Sequence, residues 1–325
     1  MLRRSQFAAL ILSMILLVGC GASEPEESAT SYVDMIQISE LAVLEDEAVA
    51  LAESPAAAST MLEAVASGKM VKKGSKATID YSNTTDGYVM TQYTAKTTKR
   101  LKVQVKGPAT TYTYNLTAGI WEVFPLSDGN GKYQISVFEN VSGSSYALVE
   151  SVSCNVALKD EFAPYLRPNQ YVNYSAASET VAKAEELLKD VTEPLEQVKI
   201  VYDYVVKNLT YDKQRAATVK SGYLPVLDSV LAEKKGICFD YAALMTAMLR
   251  SQGVPCKLVV GYAGTAYHAW ISVWSEEAGW INSAIFFDGQ TWQRMDPTFA
   301  SSAKQSASIM KYIGDGSNYT VKYLY

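Results

Sequence analysis

His268 is the single histidine among 325 residues, so any imidazole chemistry in this chain runs through one position. That count excludes sites built on two or more imidazoles, among them HExxH zinc proteases and His-rich iron or zinc centres. A cysteine, Cys238, lies about 30 residues upstream, and Asp296 lies about 28 residues downstream. A thiolate is a strong nucleophile, an imidazole can shuttle its proton, and a carboxylate can fix the imidazole's tautomer and direction. The three residue types in this order therefore offer a nucleophile, a base and an orienting group. Taken singly, each has an ordinary reading: a buried inert thiol, a structural histidine, and a turn aspartate before proline.

Their positions depend on the elements that carry them. Gly236 is expected to close one helix, and the stripe Ala242, Ala243, Met245 and Leu249 belongs to the next. That second helix is expected to stop near Gly253 and Pro255, with Arg250 in its last turn. Cys238 then falls at a helix N-terminus, where unpaired N–H groups and the positive dipole end favour a thiolate and could hold an oxyanion. His268 opens the strand HAWISVW, in which His268, Trp270, Ser272 and Trp274 share one face. Asp296 ends the strand TWQRMD, and Pro297 stops further ladder bonding. If that strand pairs beside HAWISVW, the carboxylate reaches the imidazole.

The rest of the segment 160–325 reads as helices followed by antiparallel strands, an α+β arrangement. SETVAKAEELLKD reads as one helix. A second is expected with Thr192 as N-cap, Pro194 in its first turn and Leu195, Val198, Tyr202, Val205 and Leu209 on one side. VLDSVLAEKK reads as a third, closing at Gly236. KLVVGY, HAWISVW, GWINSAIFF and TWQRMD follow as strands.

Residues 69–159 have a different texture: short Tyr-, Thr- and Val-rich runs between turn signals, as in an antiparallel β-sandwich. In RLKVQVK, Leu101, Val103 and Val105 alternate with Lys102, Gln104 and Lys106, so Lys99, Arg100, Lys102 and Lys106 read as a solvated face. SDGNGK is expected to be a hairpin turn, because Asp-Gly and Asn-Gly accept positive φ. Residues 32–68, rich in Ala and Glu, read as helical or as a loosely packed spacer.

At the start, Arg3 and Arg4 precede the apolar run FAALILSMILLVG, too short to span a bilayer and typical of an export leader over residues 1–19. Leu17-Val18-Gly19-Cys20 resembles a bacterial lipobox, which implies lipidation at Cys20, an acidic tether over 20–31 and a membrane-anchored protein facing away from the cytoplasm. Three cysteines remain, Cys154, Cys238 and Cys256, too few for a disulfide framework. A Cys154–Cys256 bridge would leave Cys238 alone. The net charge of −5 argues against a nucleic-acid partner.

Gly-x-Cys opening a helix, then His-Ala-Trp, then Trp-x-x-x-Asp-Pro-Thr strongly resembles the transglutaminase-like superfamily, relatives of papain-type cysteine peptidases. The resemblance runs over roughly 195–300 and includes VYDYVVKNLTYD, GICFDYAALMTAMLRSQGVPCKLVVGY, HAWISVW and WQRMDPTFA. It implies Cys238 as nucleophile, His268 as general base and acid, and Asp296 as orienter. It also implies an α+β papain-like domain and acyl-enzyme chemistry on peptide or protein amides. Unlike animal-type members the chain has no EF-hand-like DxDxDG loop, and Asp315-Gly-Ser is only a turn, so no metal is expected. No GxSxG, P-loop or Rossmann signature is present, and no cofactor is expected. Tyr211, Tyr223 and Tyr267 are side-chain oxyanion donors by type alone. The leading expectation is a lipid-anchored thiol enzyme at the cell envelope, with hydrolysis favoured over transamidation. The alternative is a non-catalytic binding or adaptor lipoprotein that uses the β-domain and a vestigial cleft. The 22 tyrosines also fit a carbohydrate groove, though strand-rich exported domains use tyrosine heavily in any case.

Overall fold

Alternating apolar residues build the first half of the fold into two antiparallel four-stranded sheets. The computed structural model describes residues 61–276, 279–281, 285–287, 292–294 and 319–325, all within one compact unit, Ala57–Tyr325. The leader 1–19, the tether 20–31 with Cys20, residues 32–60 of the spacer and Asp296 lie outside the described residues. One sheet has the order β1-β2-β3-β6, from β1 (Val71–Lys73), β2 (Ala77–Asp80), β3 (Tyr88–Tyr93) and β6 (Trp121–Pro125). The other has the order β5-β4-β7-β8, from β4 (Leu101–Lys106), β5 (Thr111–Leu116), β7 (Gly131–Ser142) and β8 (Ser145–Val156). In β4 the three apolar residues are buried and Lys106 is exposed, which is the wet face expected of RLKVQVK. Ile79, Val89, Tyr93 and Phe124 of the first sheet join Val103, Val105, Ile135 and Val137 of the second in one core.

The SDGNGK segment is not a hairpin turn. β6 and β7 lie in different sheets, so the segment crosses between them. The Asp128 carboxylate accepts the N–H groups of Ala109 and Thr110 at 3.0 and 2.6 Å, and Tyr133 donates to the Leu126 and Gly129 carbonyls at 3.1 and 3.0 Å. The Asp128 bonds tie the turn to the β4–β5 connection, and the Tyr133 bonds tie it to β7. The two sheets are also stapled by Glu139 on β7, whose carboxylate receives Lys99 at 2.7 Å, Lys76 at 3.0 Å and the Tyr93 hydroxyl.

The second half is α+β, with helices first. α1 (Glu179–Leu188), α2 (Pro194–Asn208), α3 (Lys213–Thr218) and α4 (Leu227–Glu233) lead to α5 (Cys238–Ser251). A sheet of order β13-β12-β11-β16 packs against α5, from β11 (Cys256–Ala263), β12 (Ala266–Ser275), β13 (Gly279–Ile281) and β16 (Tyr319–Leu324). Two helix boundaries differ from expectation. α2 starts at Pro194 itself, preceded by Glu193 instead of a Thr192 cap, because proline at the first helical position gives up no useful donor. α4 stops at Glu233 with Lys234 left-handed at φ 50°, short of Gly236. Lys235–Gly236 (β10) is needed elsewhere: it pairs in parallel with Thr210–Tyr211 (β9).

α5 is the centre of this half. Every residue from Asp240 to Ser251 is buried, including Arg250. Its guanidinium donates to the carbonyls of Cys256, Arg167 and Tyr325 at 2.8, 2.8 and 2.6 Å, so one buried cation ties the helix to β11, to the inter-sheet linker and to the residue after β16. β15 (Trp292–Arg294) pairs with β14 (Ile285–Phe287), whereas the described neighbours of β12 are β11 and β13. Among the described residues, β15 therefore does not pair beside β12, as the reading of TWQRMD next to HAWISVW required.

Candidate active site

Cys238 is the first residue of α5, and the chain reaches it through a tight backbone approach. The Asp240 side chain turns back and accepts the Ile237 N–H at 2.7 Å, satisfying one of the donors that a helix start leaves open. Ile237 has no acceptor to return the favour, so the cap is one-sided. Gly236 is what permits this: a Cβ there would sit 2.6 Å from the Asp240 Cβ. The glycine of Gly-x-Cys thus makes room for the carboxylate that starts the helix.

Asp240 is fully buried and does more than cap. Its other oxygen accepts the Tyr223 hydroxyl at 2.6 Å, and Arg215 of α3 lies 3.6 Å away. Burial pushes the Asp240 carboxyl above its usual range, opposed by the Tyr223 and Ile237 hydrogen bonds and by the Arg215 charge. Arg215 is in turn placed by Asp212, which caps α3 by accepting the Arg215 N–H at 2.9 Å. The sequence reading did not include this Arg215–Asp240–Tyr223 group. The spacing of an aspartate three residues after the residue before the helix was the available signal.

His268 lies on β12 directly opposite Gly261 of β11. A Cβ at Gly261 would meet the Thr320 carbonyl at 2.0 Å and the Trp270 ring at 2.8 Å, so glycine lets β16 close onto β11 where the register shifts. His268 is 7 % exposed, and its ring lies nearly parallel to Trp270 with centroids 6.4 Å apart.

Cys238 and His268 line the same cavity of about 500 Å³. Its wall is aromatic, with Tyr171, Tyr211, Tyr223, Phe239, Tyr267 and Tyr325. All three tyrosines named as oxyanion donors are here, but they differ. Tyr223 already donates its hydroxyl hydrogen bond to Asp240, and desolvation together with that bond raises its pKa. Tyr267 is exposed and packs edge-on against Tyr262 at 5.4 Å. The three described cysteines are free, so the Cys154–Cys256 bridge does not form. Cys256 is buried beside Thr246, and desolvation pushes its thiol up to about 11; Cys154 is raised for the same reason. Among these thiols, Cys238 is the one that opens to the cavity. Among the described residues no three His, Cys, Asp or Glu side chains gather where they could hold a metal ion.

Residues 181–297 match the family model of the transglutaminase-like superfamily. YebA of Bacillus subtilis (strain 168) is 27 % identical over 117 residues, covering 30 % of this chain and 16 % of that protein. A protein-glutamine gamma-glutamyltransferase of Pseudomonas aeruginosa is 30 % identical over 69 residues, covering 17 % of this chain and 10 % of its own length. The chain thus spans less than a fifth of either curated relative. The crystal structure of the periplasmic domain of TgpA from Pseudomonas aeruginosa is similar at 14 % identity and a TM-score of 0.34, over 75 % of this chain and 99 % of that one. With the order of helices and strands and the Cys–His cavity in place, residues 181–297 belong to the transglutaminase-like superfamily.

Proposed function

We propose that the protein is a thiol acyl-transfer enzyme acting on peptide or protein amides. The observation that carries this reading is the shared cavity of Cys238 and His268. Cys238 sulfur attacks the amide carbonyl while its proton passes to His268. The oxyanion is held by N–H groups at the start of α5. His268 then protonates the departing amine, leaving a thioester on Cys238. In the second half, His268 takes a proton from the acceptor, which attacks the thioester and frees the sulfur. The resemblance of the Trp-x-x-x-Asp-Pro-Thr motif supports Asp296 as the orienting group, reaching His268 by a route other than β15 pairing with β12.

Water as acceptor gives a peptidase or amidase; an amine gives a transglutaminase. We favour water, because Cys238 is partly exposed in an open cavity. The Pseudomonas aeruginosa gamma-glutamyltransferase keeps the amine route in view. The leader-like start and the lipobox-like Leu17-Val18-Gly19-Cys20 support an extracytoplasmic, lipid-anchored location.

The test is incubation with a peptide mixture, with and without a labelled primary amine, followed by mass spectrometry. Cleaved amides and a trapped acyl group on Cys238, both absent in Cys238→Ala, are expected. Amine incorporation without cleavage would replace hydrolysis by transamidation. No covalent intermediate and no product would sink the enzyme reading in favour of a binding lipoprotein.

A further inference from the structure

Of the described residues lining the Cys238 cavity, the exposed ones are Val219, Lys220, Ser221 and Gly222, which follow α3, and Tyr267 of β12. These five form its rim, and anything bound for Cys238 passes them. Tyr267 is fixed by strand pairing, opposite Tyr262 of β11. Residues 219–222 belong to no helix or strand, so their placement depends on individual bonds. Two of those bonds are local: the Val219 N–H donates to the Arg215 carbonyl at 2.7 Å, and the Tyr223 N–H to the Lys220 carbonyl at 3.2 Å. Gly222, at φ 90°, passes close to the Asn115 amide of β5. None of these contacts reaches α5.

The bond that does is made by the Tyr223 hydroxyl, which donates to Asp240 Oδ1 at 2.6 Å. Tyr223 continues the rim segment directly, and Asp240 lies two residues after Cys238. Asp240 Oδ2 accepts the Ile237 N–H at 2.7 Å, so one carboxylate holds both the start of the Cys238 helix and the rim of its cavity. Arg215 completes the group: its Nη1 is 3.5 Å from the Tyr223 hydroxyl and 3.6 Å from Asp240 Oδ2, and its carbonyl takes the Val219 N–H. Asp240 is fully buried, where a hydrogen bond to an ionised group is strong and directional. The Tyr223 ring also meets Phe239 edge-on, with centroids 6.3 Å apart. Phenylalanine would fill that same space; the hydroxyl is what spans rim to helix.

We infer that Asp240 is a positioning residue for substrate entry: through the Tyr223 hydroxyl it holds the 219–222 rim to the start of α5, and so sets how large an acyl group reaches Cys238. Its bearing on substrate rests on Cys238 being the nucleophile; the width of the opening does not.

The test is the rate at which the full chain is labelled at Cys238 by N-methylmaleimide and by the bulky N-pyrenylmaleimide, read by peptide mapping. Both reagents add to the same thiolate, so the ratio of their rates cancels its abundance and is independent of catalysis. Tyr223→Phe, which keeps the ring, should raise the bulky-to-small ratio about fivefold or more, the factor that a typical net hydrogen bond is worth. Val219→Ala, which trims the rim and leaves the hydroxyl in place, should raise the same ratio. A hydroxyl with a merely structural role would lower Tm and leave the ratio at the parent's value, and that result overturns the inference. A ratio that falls overturns it too, as does labelling of buried Cys256 in Tyr223→Phe, which would mean that the hydroxyl holds the fold instead. If the ratio rises while the peptide mixture gives no acyl-enzyme, the acyl-transfer reading fails and the role of Asp240 at the rim stands.

Discussion

Cys238 differs from the other two described thiols in surroundings more than in chemistry. It sits half-buried at a helix start on an open cavity, while Cys256 is enclosed and pushed up to about 11 and Cys154 is raised by burial on β8. Iodoacetamide at pH 7 should therefore label Cys238 first and leave Cys256 unmodified until the protein unfolds. If His268 takes the thiol proton, His268→Ala should slow that labelling about tenfold or more. Peptide mapping after timed quenches measures both. Equal rates at the three cysteines would remove the case for an activated thiol.

At the scale of elements, two small devices fix geometry that side-chain type alone does not. The first is the start of α5, where Gly236 leaves space for Asp240 to cap Ile237. Gly236→Ala forces a Cβ against Asp240 and should cost about 1–3 kcal/mol, read as a lower Tm by thermal melting. A melt unchanged from the parent would mean that Asp240 yields freely. The second device is Glu139, which joins β7 to the opposite sheet. Lys99, Tyr93 and Lys76 hold its carboxyl down at about 2, while burial, with the hydrogen bond to Glu139 and its charge, pushes Tyr93 up to about 12. Because the folded-state pKa is depressed, this stabilisation is complete above the unfolded carboxyl range near pH 4.5. It is lost as pH falls toward 2. Glu139→Gln should lower stability at pH 7 but flatten its loss between pH 4.5 and 2, as urea melts across that window will measure.

Over the whole described unit, the β-rich half and the α+β half share one core. Tyr325 stacks on Tyr171 at 4.2 Å and meets Tyr112 and Tyr114 of β5 edge-on at 5.7 and 5.8 Å, and the same ring lines the Cys238 cavity. Arg250 adds three bonds across the same region. The two halves should accordingly unfold in one calorimetric transition. Arg250→Met, which strands three carbonyls, should lower that single transition by about 3 kcal/mol or more without splitting it. Two resolved transitions in the parent protein would show that the halves are energetically separate.

Much of this organisation is legible without coordinates, and the reason is local. Alternation in RLKVQVK and TTYTYNLT marks β4 and β5 because a strand exposes every second residue. The all-exposed VKK of β1 has no such alternation and gives no signal. Cys238 at a helix start follows from Gly236 and the apolar stripe behind it, and the Cys–His–Asp order carries the family resemblance. Long-range pairing is a different matter. SDGNGK has hairpin chemistry yet crosses between sheets, where its acceptors are met by the Ala109 and Thr110 N–H groups and the Tyr133 hydroxyl. Thr192 could cap a helix that Pro194 instead begins. The partnership of Tyr223, Asp240 and Arg215 joins three separate elements. Cys238 and His268 meet at one cavity only because β12 packs on α5. Residue type, helix starts and strand faces are set by neighbours in the chain, and so the sequence determined them. Which strand lies beside which, and which side chains share a cavity, depend on contacts between distant segments, and only the tertiary structure decided those.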